Sequence, residues 1–319
     1  MIRKLATAAA AVAAAVVLAV PSSASAAIDE YAGVGSDTTQ DVMRALSEEY
    51  SLDNPDYLWT SIDAGSTSQT IQNLGTCPGV TYSAGSPAPN GSSAGITALL
   101  NDTNNCIDYA RSSRPLRPAE ATTLTAVRLG GDSVSWAALP QANGGYAPNP
   151  MNLSLENLRK IYKCEITNWS QVPNGKVGGG TIVRYYPQTG SGTRDFFTTS
   201  VLGFDPTNLA TGSCTTQPVI VQENRGNQVA AGDRATAILP YSKAAWTAQA
   251  NSGITGVPDS RAQFVLGTVD GIAAGAGGFV GNRDVYNVYK TATAPLVLKN
   301  FLNWAATQTA IKATYGFTA

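Results

Sequence analysis

A short run of glycine and hydroxyl residues, 189–194, is the stretch whose residue types point most directly to chemistry. It reads Thr-Gly-Ser-Gly-Thr-Arg, and a turn of this kind points successive backbone N–H groups at one place. The hydroxyls of Ser191 and Thr193 can add donors, and Arg194 adds positive charge. The run therefore predicts a binding site for a small anion at the start of a helix. The alternative is that Ser191 or Thr193 only caps that helix.

The residues on either side predict the elements that hold this turn. Residues 181–186 are β-branched and aromatic, which indicates a strand, and residues 195–202 begin with an acidic turn and end before a glycine, which indicates a short helix. The same order of strand, polar turn and helix recurs at the start of the chain. There a strand at 28–32 leads through the turn 33–40 to a helix at 41–50.

Two more polar turns follow predicted strands. Residues 65–68 come after a strand at 58–64 and precede a predicted helix at 69–74. Residues 111–116 come after a strand at 106–110. Because ligands of α/β folds bind beyond the carboxyl ends of the strands, we expect these turns to converge on one crevice.

The middle and the end of the chain predict a second set of elements. Strands are expected at 126–129, 133–139 and 264–269, and a helix over 153–162 that Ser154 caps. The apolar stretch 294–306 predicts a closing helix. The repeated units of strand, polar turn and helix predict the α/β class, and the mature length suits two domains of ordinary size or one large one. If there are two lobes, the ligand crevice lies between them.

The chain contains no histidine, which excludes a Ser-His-Asp triad, a Cys-His pair and histidine-ligated zinc. We therefore expect no catalytic residues, metal or cofactor. The 21 basic residues include Arg3 and Lys4 of the leader, so the mature chain has 19 against 22 acidic ones. Such a charge offers no surface for nucleic acid.

Four cysteines, an even number, predict two disulfides in an exported protein. We favour the pairs Cys77–Cys106 and Cys164–Cys214, because each closes a loop within one region. Their wide spacing does not resemble a zinc site.

The N-terminus has the pattern of a secretory signal peptide. Arg3 and Lys4 precede an Ala/Val-rich apolar stretch at 5–20, and Ala24-Ser25-Ala26 is a small-residue cleavage site. The predicted signal spans 1–26, no cysteine indicates a lipid anchor, and no later stretch is long enough to span a bilayer. The expected product is a monomer in the medium or the cell-wall space.

Several of these motifs together resemble the phosphate-binding proteins of ABC uptake systems, within the type 2 periplasmic-binding fold. The resemblance covers most of the mature chain. It rests on residues 33–38, 108–116, 155–162, 166–169, 190–193, 237–241 and 301–317.

The resemblance implies two Rossmann-like lobes that are joined by two crossover strands, with a ligand cleft between them. The first lobe would consist of residues 27–114 plus 241–319, and the second of 115–240. The resemblance also implies a phosphate-like oxyanion held by four loops, and possible delivery to an ABC permease. Ser191, Gly192 and Thr193 match the family directly, and the second-loop serine falls on Ser66 or on Thr67. The residues predicted to bind the ligand are Ser36, Asp37, Thr38, Ser66, Thr67, Ser112, Ser113, Arg114, Ser191, Gly192, Thr193 and Arg194.

Two positions depart from the family's pattern. Its aspartate, which accepts the proton that distinguishes hydrogen phosphate from sulfate, falls on Ser113, and its arginine before the glycine-rich turn falls on Pro187. Asp37 is a substitute acceptor. The candidate substitute cations are Arg111, Arg114 and Arg194, unless these are solvated or pair with carboxylates.

Three hypotheses follow. The first is an extracellular solute-binding protein for phosphate or a similar oxyanion, which closes on its ligand without catalysis. The second keeps the fold and changes the role, to another polar solute or to a surface function such as adhesion. The third is a secreted phosphatase-like hydrolase that uses Asp37 or Asp195 with a serine.

Overall fold

The computed structural model describes residues 29–319 except 73, 75, 76, 179, 210–213 and 215. The predicted signal peptide, 1–26, lies outside the described residues. The described part is built on one large mixed sheet, in the order β2-β1-β5-β13-β6-β10-β8-β9, with β11 also pairing with β6. The strands are β1 (Asp29–Gly35), β2 (Tyr57–Ser61), β3 (Thr70–Ile71), β4 (Val80–Thr81), β5 (Tyr109–Ser112), β6 (Leu124–Ala138), β7 (Asn152–Leu153), β8 (Val183–Pro187), β9 (Val219–Val221), β10 (Ala237–Ser242), β11 (Val265–Leu266), β12 (Thr268–Val269) and β13 (Asn282–Lys290).

Helices cover the faces of the sheet, and most of them follow a strand. They are α1 (Gln40–Asp53), α2 (Ser92–Asn101), α3 (Leu155–Tyr162), α4 (Gly192–Phe196), α5 (Lys243–Ala250), α6 (Ser252–Thr255), α7 (Leu296–Thr307) and α8 (Thr309–Thr314). Helix α4 continues as a π-helical turn, Phe197–Leu202. The predicted cap of α3 is confirmed, because the Ser154 side chain accepts from the backbone N–H of Asn157. In the described residues, no helix is long and apolar enough to cross a bilayer.

The two largest hydrophobic cores of the described residues are built on different parts of the sheet. Trp59, Tyr109 and Phe301 belong to the first, with α1 and α7. Trp136 and Trp169 belong to the second, with α3 and the π-helical turn. We call the parts around these cores lobe 1 and lobe 2. The predicted lobe boundary at residue 241 stays a prediction. We propose to group the segment of β11 and β12 with lobe 2, because β11 pairs with Ala137 and Ala138 of β6 and Val269 of β12 lies in the second core.

Strand β6 runs through both lobes as one element, where the sequence predicted two strands. Its first part pairs with β13, and its last part pairs with β10. Gly130 and Gly131 lie between the two predicted strands, and they permit a close approach of the chain's C-terminal residues to β6. A Cβ on Gly130 would lie 2.7 Å from the Thr318 carbonyl oxygen, and one on Gly131 would lie 2.3 Å from the Thr318 hydroxyl.

The helix predicted at 69–74 is wrong. Thr70 and Ile71 form β3, which pairs with β4 in a small hairpin. Both residues are β-branched, and the buried side chain of Ile71 packs with Cys77 and Tyr82. Tertiary packing therefore decided this segment.

Both predicted disulfides are present, Cys77–Cys106 in lobe 1 and Cys164–Cys214 in lobe 2. Cys77 and Cys106 belong to a smaller hydrophobic cluster with Ile62 and Ile71. By restricting the unfolded chain, such cross-links typically contribute about 2–4 kcal/mol each.

A buried carboxyl group, Asp108, immediately precedes β5. Its Oδ2 accepts the backbone N–H of Ala32 at 2.8 Å. Burial raises its pKa to about 7; Asp102 and Glu30 act in the same direction, and the Ala32 N–H and Lys290 oppose it. The folded protein therefore holds this proton up to about pH 7, whereas the unfolded chain releases it near the ordinary aspartate pKa of 3.8.

This difference predicts that stability falls as the pH rises from about 4 to about 7. Asp108→Asn removes the titration and keeps an acceptor oxygen for Ala32. At pH 8 we expect the variant to be about 1–3 kcal/mol more stable than the wild type, in urea unfolding measured from pH 4 to 8. The exposed Asp56→Asn is the matched control. An unchanged slope in the Asp108 variant would contradict the assignment.

Candidate functional site

The turn after β1 is held in place by a fully buried arginine. The Arg111 side chain, from β5, donates to the carbonyls of Gly33, Ser36 and Ile62 and to the Ser61 hydroxyl. All four acceptors are neutral. The guanidinium therefore positions the carboxyl ends of β1 and β2, and its positive charge lies directly beneath the turn.

Three serine hydroxyls meet at the carboxyl end of β5. Ser113 Oγ lies 3.2 Å from Ser36 Oγ and 3.1 Å from Ser92 Oγ, and its backbone N–H donates to Ser92 Oγ at 2.9 Å. All three residues are fully buried. Ser36 follows β1, Ser92 begins α2 and Ser113 follows β5. Lobe 1 therefore presents a compact group of hydroxyls.

The predicted anion turn of lobe 2 lies directly against these serines. Thr193 Oγ1 is 3.4 Å from Thr38 Oγ1 across the cleft. Gly192 packs so closely that an added Cβ would lie 2.2 Å from Ser92 Oγ and 2.4 Å from Ser113 Oγ. We call Ser36, Thr38, Ser92, Ser113 and Thr193 the hydroxyl cluster. The two lobes are closed on each other at this point.

A buried ion pair borders the hydroxyl cluster. Arg283, on β13, donates to Asp132 Oδ2 from Nε at 3.1 Å and from Nη2 at 2.8 Å. The same guanidinium donates to the Ser113 carbonyl at 3.2 Å and to Thr193 Oγ1 at 3.0 Å. Arg283 is thus the cation that contacts both lobes of the cluster.

Two acidic side chains also meet where the lobes join. Asp37, in the turn after β1, lies within hydrogen-bonding reach of Glu223, which follows β9. Burial and the neighbouring Glu223 raise the pKa of Asp37 well above its usual range. Glu223 is 1% exposed, and Ser191 Oγ donates to its Oε2 at 2.7 Å.

Amide side chains link the lobes around these carboxyl groups. Asn224 Nδ2 and Gln222 Nε2 each donate to Asp37 at 3.2 Å. Asn90 Nδ2 donates to Gln222 Oε1 at 2.7 Å, and Gln188 Nε2 donates to Asn90 Oδ1 at 3.0 Å. The rim of the closed cleft is therefore held largely by amide hydrogen bonds.

Of the three arginines predicted as substitute cations, Arg111 lies beneath the first turn, and the other two are directed elsewhere. Arg114 pairs with Glu120 at 2.8 Å through both terminal nitrogens. Arg194 donates to Thr207 at 2.9 Å and lies over the Tyr186 ring. Their assignment as ligand residues stays a prediction.

The second-loop residues also lie apart from the contacts of the cluster. Ser66 Oγ accepts the backbone N–H groups of Ser68 and Gln69 in its own turn, and Thr67 is exposed. Ser112 Oγ donates to the Arg114 carbonyl at 2.7 Å. These residues shape their own turns, and their role toward a ligand stays a prediction.

Ser191 performs the capping role that was the alternative explanation. Its Oγ accepts the backbone N–H of Arg194 at 2.9 Å and donates to Glu223. Ser191 can therefore cap helix α4 and still lie in the cleft between the lobes.

Sequence reasoning missed several residues that the fold brings to the cleft. Ser92 had a local signal, since Gly91-Ser92-Ser93 precedes a helix as the other polar turns do. Glu223 lies in a stretch, 220–229, that reads as a strand leading to a polar turn and a helix, but this turn was not assigned to the site. Arg283 and Asp132 lie within strands, where no motif marks them. The missed residues are Asn90, Ser92, Asp132, Gln222, Glu223, Asn224 and Arg283.

This arrangement suits binding of an anion by neutral donors beside the buried guanidinium of Arg283, which is paired with Asp132. Hydroxyl groups can donate to an oxyanion, and the planar N–H fork of a guanidinium matches two oxygens of a carboxylate or a phosphate. In the part of the chain that the structure describes, no group of three or more His, Cys, Asp or Glu side chains could hold a metal ion.

Comparisons with known proteins identify the family and the fold of the chain. A family model described as a PBP superfamily domain matches residues 20–309. The curated proteins contain no match. One similar solved structure is a protein of Clostridium perfringens assigned as a phosphate ABC transporter substrate-binding protein, with bound phosphate. It is 20% identical to this chain, with a TM-score of 0.61, and the match covers 91% of this chain and 99% of that one.

A second solved structure, an ABC-type phosphate transport receptor from Vibrio cholerae, is 22% identical with a TM-score of 0.56. It covers 91% of this chain and 99% of its own. At these identities the two structures establish the fold. The predicted two-lobed α/β architecture of the periplasmic-binding type is therefore confirmed.

Proposed function

This chain belongs to the PBP superfamily, and from that premise we propose that it is an extracellular solute-binding protein for phosphate or a similar oxyanion. The lobes close around the ligand, and no bond of the ligand is broken. The hydroxyl cluster is the observation that carries this proposal. It gathers five buried hydroxyls from both lobes next to the guanidinium of Arg283.

The chemistry of the cluster favours an oxyanion over other solutes. Its hydroxyls make contacts of 3.1–3.4 Å with one another, so each can turn its proton toward a guest when the lobes separate. Arg283 supplies positive charge from a buried position, where an ionic hydrogen bond is strongest. The proposal includes export as a monomer after removal of 1–26, and a possible ABC permease as recipient.

Calorimetric titration of the mature protein with phosphate, sulfate and arsenate tests the function directly. We expect saturable heat with at least one of these anions at micromolar to millimolar concentration. Ser113→Ala removes the central hydroxyl and is expected to weaken that binding about 5–10-fold, as the loss of one hydrogen bond predicts. Thr122→Ala, an exposed hydroxyl outside the cleft, is the control. No heat with any anion would contradict the proposal.

A further inference from the structure

One acidic side chain of lobe 1 contacts three consecutive side chains of lobe 2. Asp37 lies in the turn after β1, and residues 222–224 follow β9, which pairs with β8 of the second core. Gln222 Nε2 donates to Asp37 Oδ2, and Asn224 Nδ2 donates to Asp37 Oδ1, each at 3.2 Å. Glu223, between them, lies within hydrogen-bonding reach of the same carboxyl group. These contacts span the cleft, so they form only when the lobes close.

The two carboxyl groups satisfy each other when one of them holds a proton. Glu223 is 1% exposed, and its Oε2 accepts the Ser191 hydroxyl. Its buried Oε1 receives no hydrogen bond from an N–H or from another hydroxyl of the described residues. A proton on Asp37 supplies the missing donor and removes the repulsion between two ionised carboxylates. Burial and the neighbouring Glu223 accordingly raise the pKa of Asp37 well above its usual range.

Arg225, in the same segment, is a cation that faces Asp37 from lobe 2. It favours the ionised form, but its influence on the pKa of Asp37 is smaller than those of burial and Glu223. Its guanidinium also donates to Ser260 Oγ at 3.0 Å. Tyr241, on β10, faces Asp37 too and stays uncharged, because burial raises the pKa of its hydroxyl. The immediate surroundings therefore keep the proton on the pair.

The charged groups on the other sides of this turn are engaged by other partners. Three of them, on α1 and after β2, pair with one another: Arg44, Asp41 and Asp63. Arg111, beneath the turn, donates to four neutral acceptors. Arg283 pairs with Asp132 beside the hydroxyl cluster. Asp37 and Glu223 are therefore the like-charged groups that closure of the lobes brings together.

From these contacts we infer that the lobes close with the uptake of one proton, which Asp37 and Glu223 share, so that closure is a pH-sensitive switch. The inference goes beyond the proposed function, because it concerns the lobes whether or not an oxyanion is present. In the open form Asp37 is separated from Glu223 and ionises near the ordinary aspartate pKa of 3.8. The closed form holds the proton to higher pH, so acid favours closure. Between the two pKa values, the ratio of closed to open molecules falls about tenfold for each pH unit.

Small-angle scattering of the protein in buffers without phosphate or sulfate tests the switch. From about pH 5 to about pH 8.5 we expect the ratio of closed to open molecules to fall at least about tenfold, seen as an increase in the radius of gyration. A radius that does not change with pH overturns the inference and leaves the proposed function standing. The increase without binding of any oxyanion in calorimetry has the opposite meaning.

Glu223→Gln separates this pair from other titrating groups. The new amide donates to ionised Asp37 without a proton, and its carbonyl oxygen still accepts the Ser191 hydroxyl. The ratio of closed to open molecules should then change less than about twofold over the same pH range. Asp108, with its pKa raised to about 7, still titrates in this variant. A response of wild-type size in the Glu223 variant therefore belongs to another group and overturns the inference.

Glu156→Gln is the matched control for this variant. It changes an exposed glutamate that pairs with Lys160, so the wild-type response to pH should persist. Thermal unfolding monitored by circular dichroism verifies that both variants are folded at each pH. Loss of the response in both variants would show that the pair is not its source.

Discussion

Arg283→Ala is expected to remove oxyanion binding and to destabilise the protein. Arg283 and Asp132 are almost fully buried, so the substitution leaves an unpaired carboxylate in the interior. Breaking such a pair costs about 3–5 kcal/mol. The ligand also loses its buried cation, which should weaken binding by about 10–100-fold. Urea unfolding and calorimetric titration measure the two effects separately.

The exposed pair of Arg128 and Asp284 provides a matched control on the same strands. Its ion pair is 2.8 Å long, and both side chains are more than two-fifths exposed. Arg128→Ala should cost about 0–1 kcal/mol and leave binding unchanged.

A double variant distinguishes the effect of Arg283 on folding from its effect on the ligand. Arg283→Met with Asp132→Asn removes both buried charges and keeps an acceptor oxygen for the backbone N–H of Ala244, so it should recover much of the lost stability. Binding should stay lost, since no cation remains at the cluster. If the double variant bound the oxyanion within threefold of the wild type, Arg283 would not be the cation that binds the ligand.

Gly192→Ala is expected to prevent the lobes from closing. Gly192 is the first residue of α4, where alanine is the better helix former, so the variant gains locally. The added Cβ would lie 2.2 Å from Ser92 Oγ, across the cleft. Such overpacking costs about 1–3 kcal/mol and is avoided only in the open form. Ligand affinity should fall about 5–150-fold, while the unfolding temperature of the ligand-free protein changes little.

Small-angle scattering provides the second measurement for this variant. With ligand present, the wild type should become more compact, whereas the Gly192 variant should keep the larger radius of gyration. Gly253→Ala, in α6 with open space around it, is the control and should close normally. Normal closure and normal affinity in the Gly192 variant would show that the lobes do not meet as described.

The sequence predicted local elements well where one pattern dominates. The cap at Ser154, the glycine-rich start of α4 and the closing helix needed only periodicity and turn chemistry, which act over a few residues. Helix α4 nevertheless begins at Gly192, three residues before its predicted start at 195. The helix that the sequence predicted at 69–74 is wrong, and the single strand β6 was predicted as two strands. In the first case a β-hairpin packs against Cys77 and Tyr82, and in the second Thr318 packs on the glycines. Neither contact is visible in the neighbouring sequence.

Candidate ligand residues in glycine-rich turns are recognisable from the sequence, because a glycine turn between a strand and a helix points its amides outward whatever surrounds it. The sequence thus determined the class of fold, the disulfide pairs and the turn of lobe 2. Only the tertiary structure brought Arg283, Asp132 and Glu223 to the same cleft. Glu223 contacts Ser191, 32 residues away in the sequence, and Arg283 contacts Asp132, 151 residues away. Because these partners are distant in the sequence, no local pattern indicates that the side chains will meet.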